Sequence, residues 1–85
     1  MEKEQFKSLI LQYKESRLKC LSVKRRTIFN QFKVATHEEI YVSSLDEKRV
    51  LNLPVVESIP MTTSKHDRDT SFIKYHDWCM EALIK

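Results

Sequence analysis

The chain has 85 residues, of which 41% are hydrophobic and 9% aromatic, and its formal net charge is +3. This length predicts one small domain covering residues 1–85, and the aromatic content together with the low net charge argues against disorder. The sequence contains no glycine, which excludes glycine-rich phosphate loops, dinucleotide-binding fingerprints and G-x-S-x-G nucleophile elbows.

The N-terminal stretch predicts a helix over residues 3–21. Phe6, Leu9, Ile10 and Tyr13 follow the spacing that places apolar side chains on one helix face. Arg17, however, falls in the middle of that stripe. We therefore expect either a bend or break near residues 21–23, or a stripe that is covered only at its start.

A second helical piece is predicted over about residues 24–33. Its apolar positions are Ile28, Phe29 and Phe32. The ordinary interpretation turns these three side chains into the core and leaves the neighbouring cations in solvent.

Residues 38–56 predict a β-hairpin. Ile40, Tyr41 and Val42 form a β-branched and aromatic run, and residues 49–53 form a second run in which Leu51 and Leu53 share one face. Residues 45–48 are the expected turn, longer than a two-residue turn because glycine is missing. Pro54 removes a ladder donor, so the second strand should be an edge strand or end there.

The C-terminal part predicts a loop over residues 57–68 and then a helix over residues 70–84. Asp69 is a suitable N-cap. One narrow apolar stripe is made by Phe72, Tyr75, Cys79, Ala82 and Leu83. The order is α(α)ββα, which predicts an α+β fold with an N-terminal helical region, an antiparallel β-hairpin and a C-terminal amphipathic helix.

The segment from Lys24 to Lys33 is the strongest candidate for nucleic-acid binding. Cations neutralise phosphates, and aromatic faces stack on unpaired bases. Asn30 and Gln31 could read base edges. The candidate residues for this role are Lys24, Arg25, Arg26, Asn30, Gln31 and Lys33. The charge is concentrated here, because residues 1–34 carry nine Lys/Arg and three Glu.

The C-terminal helix is the candidate protein-binding element. Trp78 lies about 100° from the centre of the apolar stripe, and Met80 and Ile84 lie on the opposite flank. A helix that is apolar over more than one side is either deeply buried or in contact with another chain. Trp78, Met80 and Ile84 are therefore the predicted partner contacts, with a second copy of this chain as one option for the partner.

Metal and catalytic sites are weakly supported. His76 and Cys79 are three residues apart, but Cys20, His37 and His66 would have to complete a zinc site from scattered positions. Pairs such as His66-Asp67 are only neighbours in sequence, which does not establish catalytic geometry. We therefore expect no enzyme activity, no cofactor and no metal, with Cys20 and Cys79 reduced and buried.

These observations predict a small non-catalytic regulatory or accessory protein that acts by protein contact, as an adaptor, a subunit or an inhibitor. The alternative is a nucleic-acid-binding protein. No apolar run approaches the ~20 residues that span a bilayer, and the charged start lacks the features of a secretory signal. We therefore expect an intracellular, cytoplasmic protein without membrane contact, or a nucleoid or nuclear one if it binds nucleic acid.

Overall fold

The computed structural model describes residues 1–45 and 49–84. The elements in this part of the chain are α1 (Lys3–Glu15), β1 (Ser22–Phe29), β2 (Ala35–Leu45), β3 (Val50–Pro60) and α2 (Lys65–Ile84). The strands form an antiparallel sheet in the order β1-β2-β3. The α+β class is confirmed, with three strands where the sequence predicted two.

Both helices pack on one face of the sheet, and the core lies between them and the strands. Phe6 of α1 and Tyr75 of α2 are fully buried, and their ring centroids are 5.0 Å apart in an edge-on contact. Burial of an aromatic or aliphatic side chain of this kind stabilises a fold by ~1.5–3 kcal/mol. The buried hydrophobic residues are Phe6, Ile10, Leu21, Val23, Ile40, Val42, Ile59, Tyr75, Cys79 and Ala82.

The helix α1 ends at Glu15, so its predicted extension to residue 21 is wrong. Arg17 adopts a left-handed backbone with φ of 64°, and its N–H donates to the Lys14 carbonyl at 3.0 Å. The Leu18 N–H donates to the Tyr13 carbonyl at 3.2 Å. This is the Schellman arrangement, with Arg17 at the position where glycine is usual. Ending the helix here keeps the Arg17 side chain exposed instead of burying it in the apolar stripe.

The predicted helical piece over residues 24–33 is also wrong, because residues 22–29 form β1. Val23 lies beside Val42 and Arg25 beside Ile40 in the β1–β2 register. Val23 is buried, whereas Lys24 on the opposite face is exposed. The β-branched residues in this segment fit a pleated strand better than a helix.

The hairpin predicted over residues 38–56 is present and longer. β2 and β3 cover residues 35–45 and 50–60, and the strand continues through Pro54. β3 is an edge strand, as Pro54 suggested, and Leu51 and Leu53 share the more buried face. Of the predicted turn, residues 46–48 lie outside the described part of the chain.

The helix α2 begins at Lys65, so the predicted loop over residues 57–68 is wrong at both ends. The Asp67 N–H donates to Ser64 Oγ at 3.2 Å, which makes Ser64 the N-cap. Asp69 is therefore not the predicted cap. It lies in the second turn of α2, where its carboxylate pairs with Arg25.

The two cysteines are both free thiols, but they differ in environment. Cys79 is only 2% exposed, and burial raises the pKa of its thiol, as expected for an unreactive core cysteine. Cys20 is exposed, so its predicted burial is wrong. The reason is that α1 ends before residue 20, which removes Cys20 from the helix face that would have buried it.

Candidate binding surface

The basic segment predicted for nucleic-acid binding divides between the two faces of the sheet. Arg25 pairs in register with Ile40, and Arg26 with Glu39. Because side chains alternate along a strand, Arg25 points to the face covered by the helices and Arg26 to the open face. The two adjacent arginines therefore project to opposite faces of the sheet.

Arg25 forms an ion-pair network that holds α2 against the sheet. Its Nη2 donates to Glu38 Oε2 at 2.8 Å, and its Nη1 donates to Asp69 Oδ1 at 2.8 Å. The Glu38 carboxylate, whose residue is only 8% exposed, is also 3.2 Å from Arg68 Nη1. The guanidinium lies 5.3 Å from the centre of the Phe72 ring. Arg25 is therefore a structural residue in this fold.

The contact between Arg25 and Asp69 shifts the pKa values of these two residues. The hydrogen bond from Arg25 lowers the pKa of the Asp69 carboxyl. Burial disfavours the charged form of Arg25, but the hydrogen bonds to Asp69 and Glu38 outweigh that effect and raise its pKa. Arg25 thus stays charged, and two carboxylates already neutralise it.

On the open face, Arg26 is also paired. Its Nε lies 2.9 Å from Glu39 Oε1, and its guanidinium lies 4.7 Å from the centre of the Tyr41 ring. Among the described residues, Lys24 and Lys33 are the predicted nucleic-acid contacts that are exposed cations without a carboxylate partner. Asn30 and Gln31 are exposed as well.

The turn between β1 and β2 is held by Asn30. Its side-chain oxygen accepts hydrogen bonds from the backbone N–H of Phe32 at 2.8 Å and of Val34 at 3.1 Å. Lys33 takes the left-handed conformation, with φ of 61°, that glycine often supplies in such turns. These contacts give a tight, ordered turn in a chain that has no glycine.

This turn displays a cluster of large apolar side chains, which we call the hairpin tip and define as residues 29–34. Phe29 is 58% exposed, Phe32 is 75% exposed and Val34 is 57% exposed. The ordinary interpretation of the sequence, which turned Phe29 and Phe32 into the core, is therefore wrong. Asn30, Gln31 and Lys33 between two β-prone runs are the turn signal that could have identified the tip.

The three predicted contacts on α2 lie on two different sides of the helix. Trp78 packs toward α1, with its ring 5.4 Å from Tyr75 and 6.3 Å from Phe6. Met80 is 47% exposed and Ile84 is 78% exposed. Helical spacing places both beside Ile73, which is 55% exposed. We call Ile73, Met80 and Ile84 the α2 stripe, and Trp78 is not part of it.

The described residues offer little for metal or small-molecule chemistry. No group of three or more His, Cys, Asp or Glu side chains among them is close enough to hold a metal ion. An open depression of about 330 Å³ is lined by Lys3, Lys7, Glu81 and Ile84. Its lysines are engaged, because Glu81 Oε2 lies 3.3 Å from Lys3 Nζ and 3.6 Å from Lys7 Nζ.

Comparisons with known proteins do not assign this chain to a family. Neither the models of protein families, nor the curated proteins, nor the solved structures contain a significant match to this chain. In the part of the chain that the structure describes, neither helix is long and apolar enough to cross a lipid bilayer.

Proposed function

We propose that this chain is a cytoplasmic, non-catalytic protein-binding domain, which works as an adaptor, an accessory subunit or an inhibitor. The hairpin tip is the contact surface, and Phe32 is its central anchor. The observation that carries the proposal is the 75% exposure of Phe32 between the exposed Phe29 and Val34. Clusters of exposed apolar side chains mark interaction sites on small soluble domains.

The order of the tip strengthens this proposal. Asn30 fixes the turn through two hydrogen bonds to backbone N–H groups. A surface that is already in its bound shape loses less conformational entropy when a partner docks. Aromatic side chains on such a surface are frequent binding hot spots. The tip is thus a better anchor than the α2 stripe, which has no aromatic residue.

Nucleic-acid binding is the second candidate, and one observation favours it. Phe32 and Lys33 are neighbours and both are exposed at the tip, which is the combination that stacks on a base and neutralises a phosphate. The pairing of Arg25 with Glu38 and of Arg26 with Glu39 argues for ranking it second. Two of the predicted phosphate contacts are already neutralised within the fold.

The test uses the full chain as bait in two matched lysates, one treated with nuclease and one untreated, followed by affinity measurement with the recovered partner. Phe32→Ala is compared with Ile84→Ala, since both remove a large exposed apolar side chain. We expect Phe32→Ala to weaken binding by ~30-fold, the effect of a hot spot worth ~2 kcal/mol. Ile84→Ala should leave the affinity unchanged.

Other outcomes assign the function differently. If only Ile84→Ala or Met80→Ala weakens binding, the partner docks on the α2 stripe and the tip is not the contact surface. If capture depends on nucleic acid, affinity should fall with salt with a slope of about −0.7 per phosphate contact on a single strand. That result would replace the protein-binding proposal with the second candidate.

A further inference from the structure

The two edges of the sheet differ in their capacity to accept another strand. β3 contains Pro54 and Pro60, which have no N–H to donate, and its register with β2 shifts twice. β1 contains no proline and pairs with β2 in regular register from Ser22 to Ile28. Among the described residues, no strand lies on its outer side. Among the described residues, β1 is therefore the edge with a regular row of backbone donors and acceptors that no further strand pairs.

The β1 edge is also cationic. Between Ser16 and His37 the sequence has six Lys or Arg residues and no Asp or Glu. The carboxylates that neutralise Arg25 and Arg26 come from β2 and α2. Lys24 is exposed beside this edge, and Arg17 and Lys19 are exposed in the segment that leads into it. The β1 edge therefore remains positively charged after Arg25 and Arg26 have formed their ion pairs.

This charge determines which strand can pair. Cations on an edge strand deter pairing with a second copy, because an antiparallel β1–β1 pair would bring the Lys24 side chains of the two copies close together. Lys24, which keeps its charge unpaired among the described residues, attracts carboxylates at opposing positions. Charges that repel a second β1 strand and attract an acidic strand give the edge specificity for one kind of partner. The β1 edge is therefore complementary in charge to an acidic strand and not to the β1 edge of a second copy.

We infer that β1 binds an extended, acidic segment of a protein partner by strand addition, using its backbone along residues 22–29. The inference rests on the proposed protein-binding function and adds the partner's chemistry. Main-chain hydrogen bonds supply affinity in this mode, and side-chain charge supplies selectivity. The edge runs directly into the hairpin tip at Phe29, so one partner can contact both. A phosphate backbone would use the charge but not the alternating carbonyl acceptors of the edge.

The probe is a nine-residue peptide, capped at both ends, in which glutamate alternates with valine. It is titrated into the full ¹⁵N-labelled chain at low salt. We expect amide shifts and slowed hydrogen exchange confined to residues 22–29. A peptide with lysine in place of glutamate, and a glutamate peptide N-methylated at alternate residues, should each bind at least ~10-fold more weakly.

Matched variants test the charge. Lys24→Glu should weaken peptide binding about fivefold, and the loss should shrink as salt rises. Lys65→Glu changes the net charge equally but lies at the start of α2, so its effect should be small. Equal losses in the two variants would mean that only the net charge attracts the peptide, and strand addition at β1 would then be wrong.

Further outcomes overturn the inference without affecting the proposed function. Equal binding of the N-methylated peptide, or shifts on β3 or α2 instead of β1, would exclude strand addition at β1. Tighter binding of a ten-nucleotide thymidine strand to the same amides would assign the edge to nucleic acid. Phe32→Ala should leave peptide binding intact while reducing binding of the recovered partner. Strand addition at β1 and partner binding at the hairpin tip are therefore tested independently.

Discussion

On the face of the sheet that the helices cover, Arg25 contacts two carboxylates and an aromatic ring, and it holds α2 in place. On the open face, Arg26 pairs with Glu39 and lies over Tyr41 near solvent. These residues are adjacent and chemically identical. The comparison shows that the number of cations in a segment does not predict how many of them are available to a ligand, since carboxylates distant in sequence neutralise some of them.

The contrast between a residue held inside the fold and one left in solvent is strongest for the phenylalanines. Phe6 is fully buried and Phe32 is 75% exposed. Phe6→Ala should reduce the free energy of unfolding by ~3–5 kcal/mol, through lost burial and the cavity left behind. That is a large part of the ~5–15 kcal/mol that stabilises a typical domain. Phe32→Ala should change it by less than ~0.5 kcal/mol. Chemical denaturation checks both, and comparable losses would contradict the exposure of the tip.

Loss of the Arg25–Glu38 pair should lower the free energy of unfolding more than loss of the Arg26–Glu39 pair. This difference should be smaller than the one between the two phenylalanines. Glu38→Gln removes the charge that compensates Arg25 at a site where Glu38 is only 8% exposed, and we expect a loss of ~2 kcal/mol in the free energy of unfolding. Glu39→Gln breaks the exposed pair with Arg26 and should cost less than ~1 kcal/mol. Equal losses in denaturant titrations would show that Arg25 and Arg26 have equivalent roles.

The smallest expected effect is the pH dependence of the stabilisation that the Asp69–Arg25 pair provides. The pKa of Asp69 lies below its ordinary value of 3.8 because of Arg25, so the pair stabilises the fold above about that pH and loses its effect as pH falls through the folded-state pKa. The gap in Tm between the unmodified chain and Asp69→Asn should therefore be widest near neutral pH and close in acid. In an Arg25→Gln background, Asp69→Asn should leave Tm nearly unchanged across this range. A gap that persists in acid would contradict the pairing.

Part of the fold was predictable because it depends on local patterns. The alternation around Leu51 and Leu53 identified the second strand of the hairpin, and the apolar spacing around Tyr75 and Cys79 identified the C-terminal helix. β1 was mistaken for a helix because Ile28, Phe29 and Phe32 also fit helical spacing. At the start of α2, the sequence analysis predicted Asp69 as the N-cap, whereas Ser64, a residue type equally suited to capping, caps a helix that begins at Lys65 instead of residue 70.

For the candidate site, the sequence by itself determined that the basic segment lies next to aromatic side chains and that Met80 and Ile84 flank the apolar stripe of the last helix. Only the tertiary structure decided that Phe29 and Phe32 lie at an exposed hairpin tip, that Trp78 packs between the helices, and that Arg25 is held by Glu38 and Asp69. These outcomes depend on which strand lies beside β1 and on which face α2 covers. Such contacts join residues distant along the chain, so no local pattern encodes them.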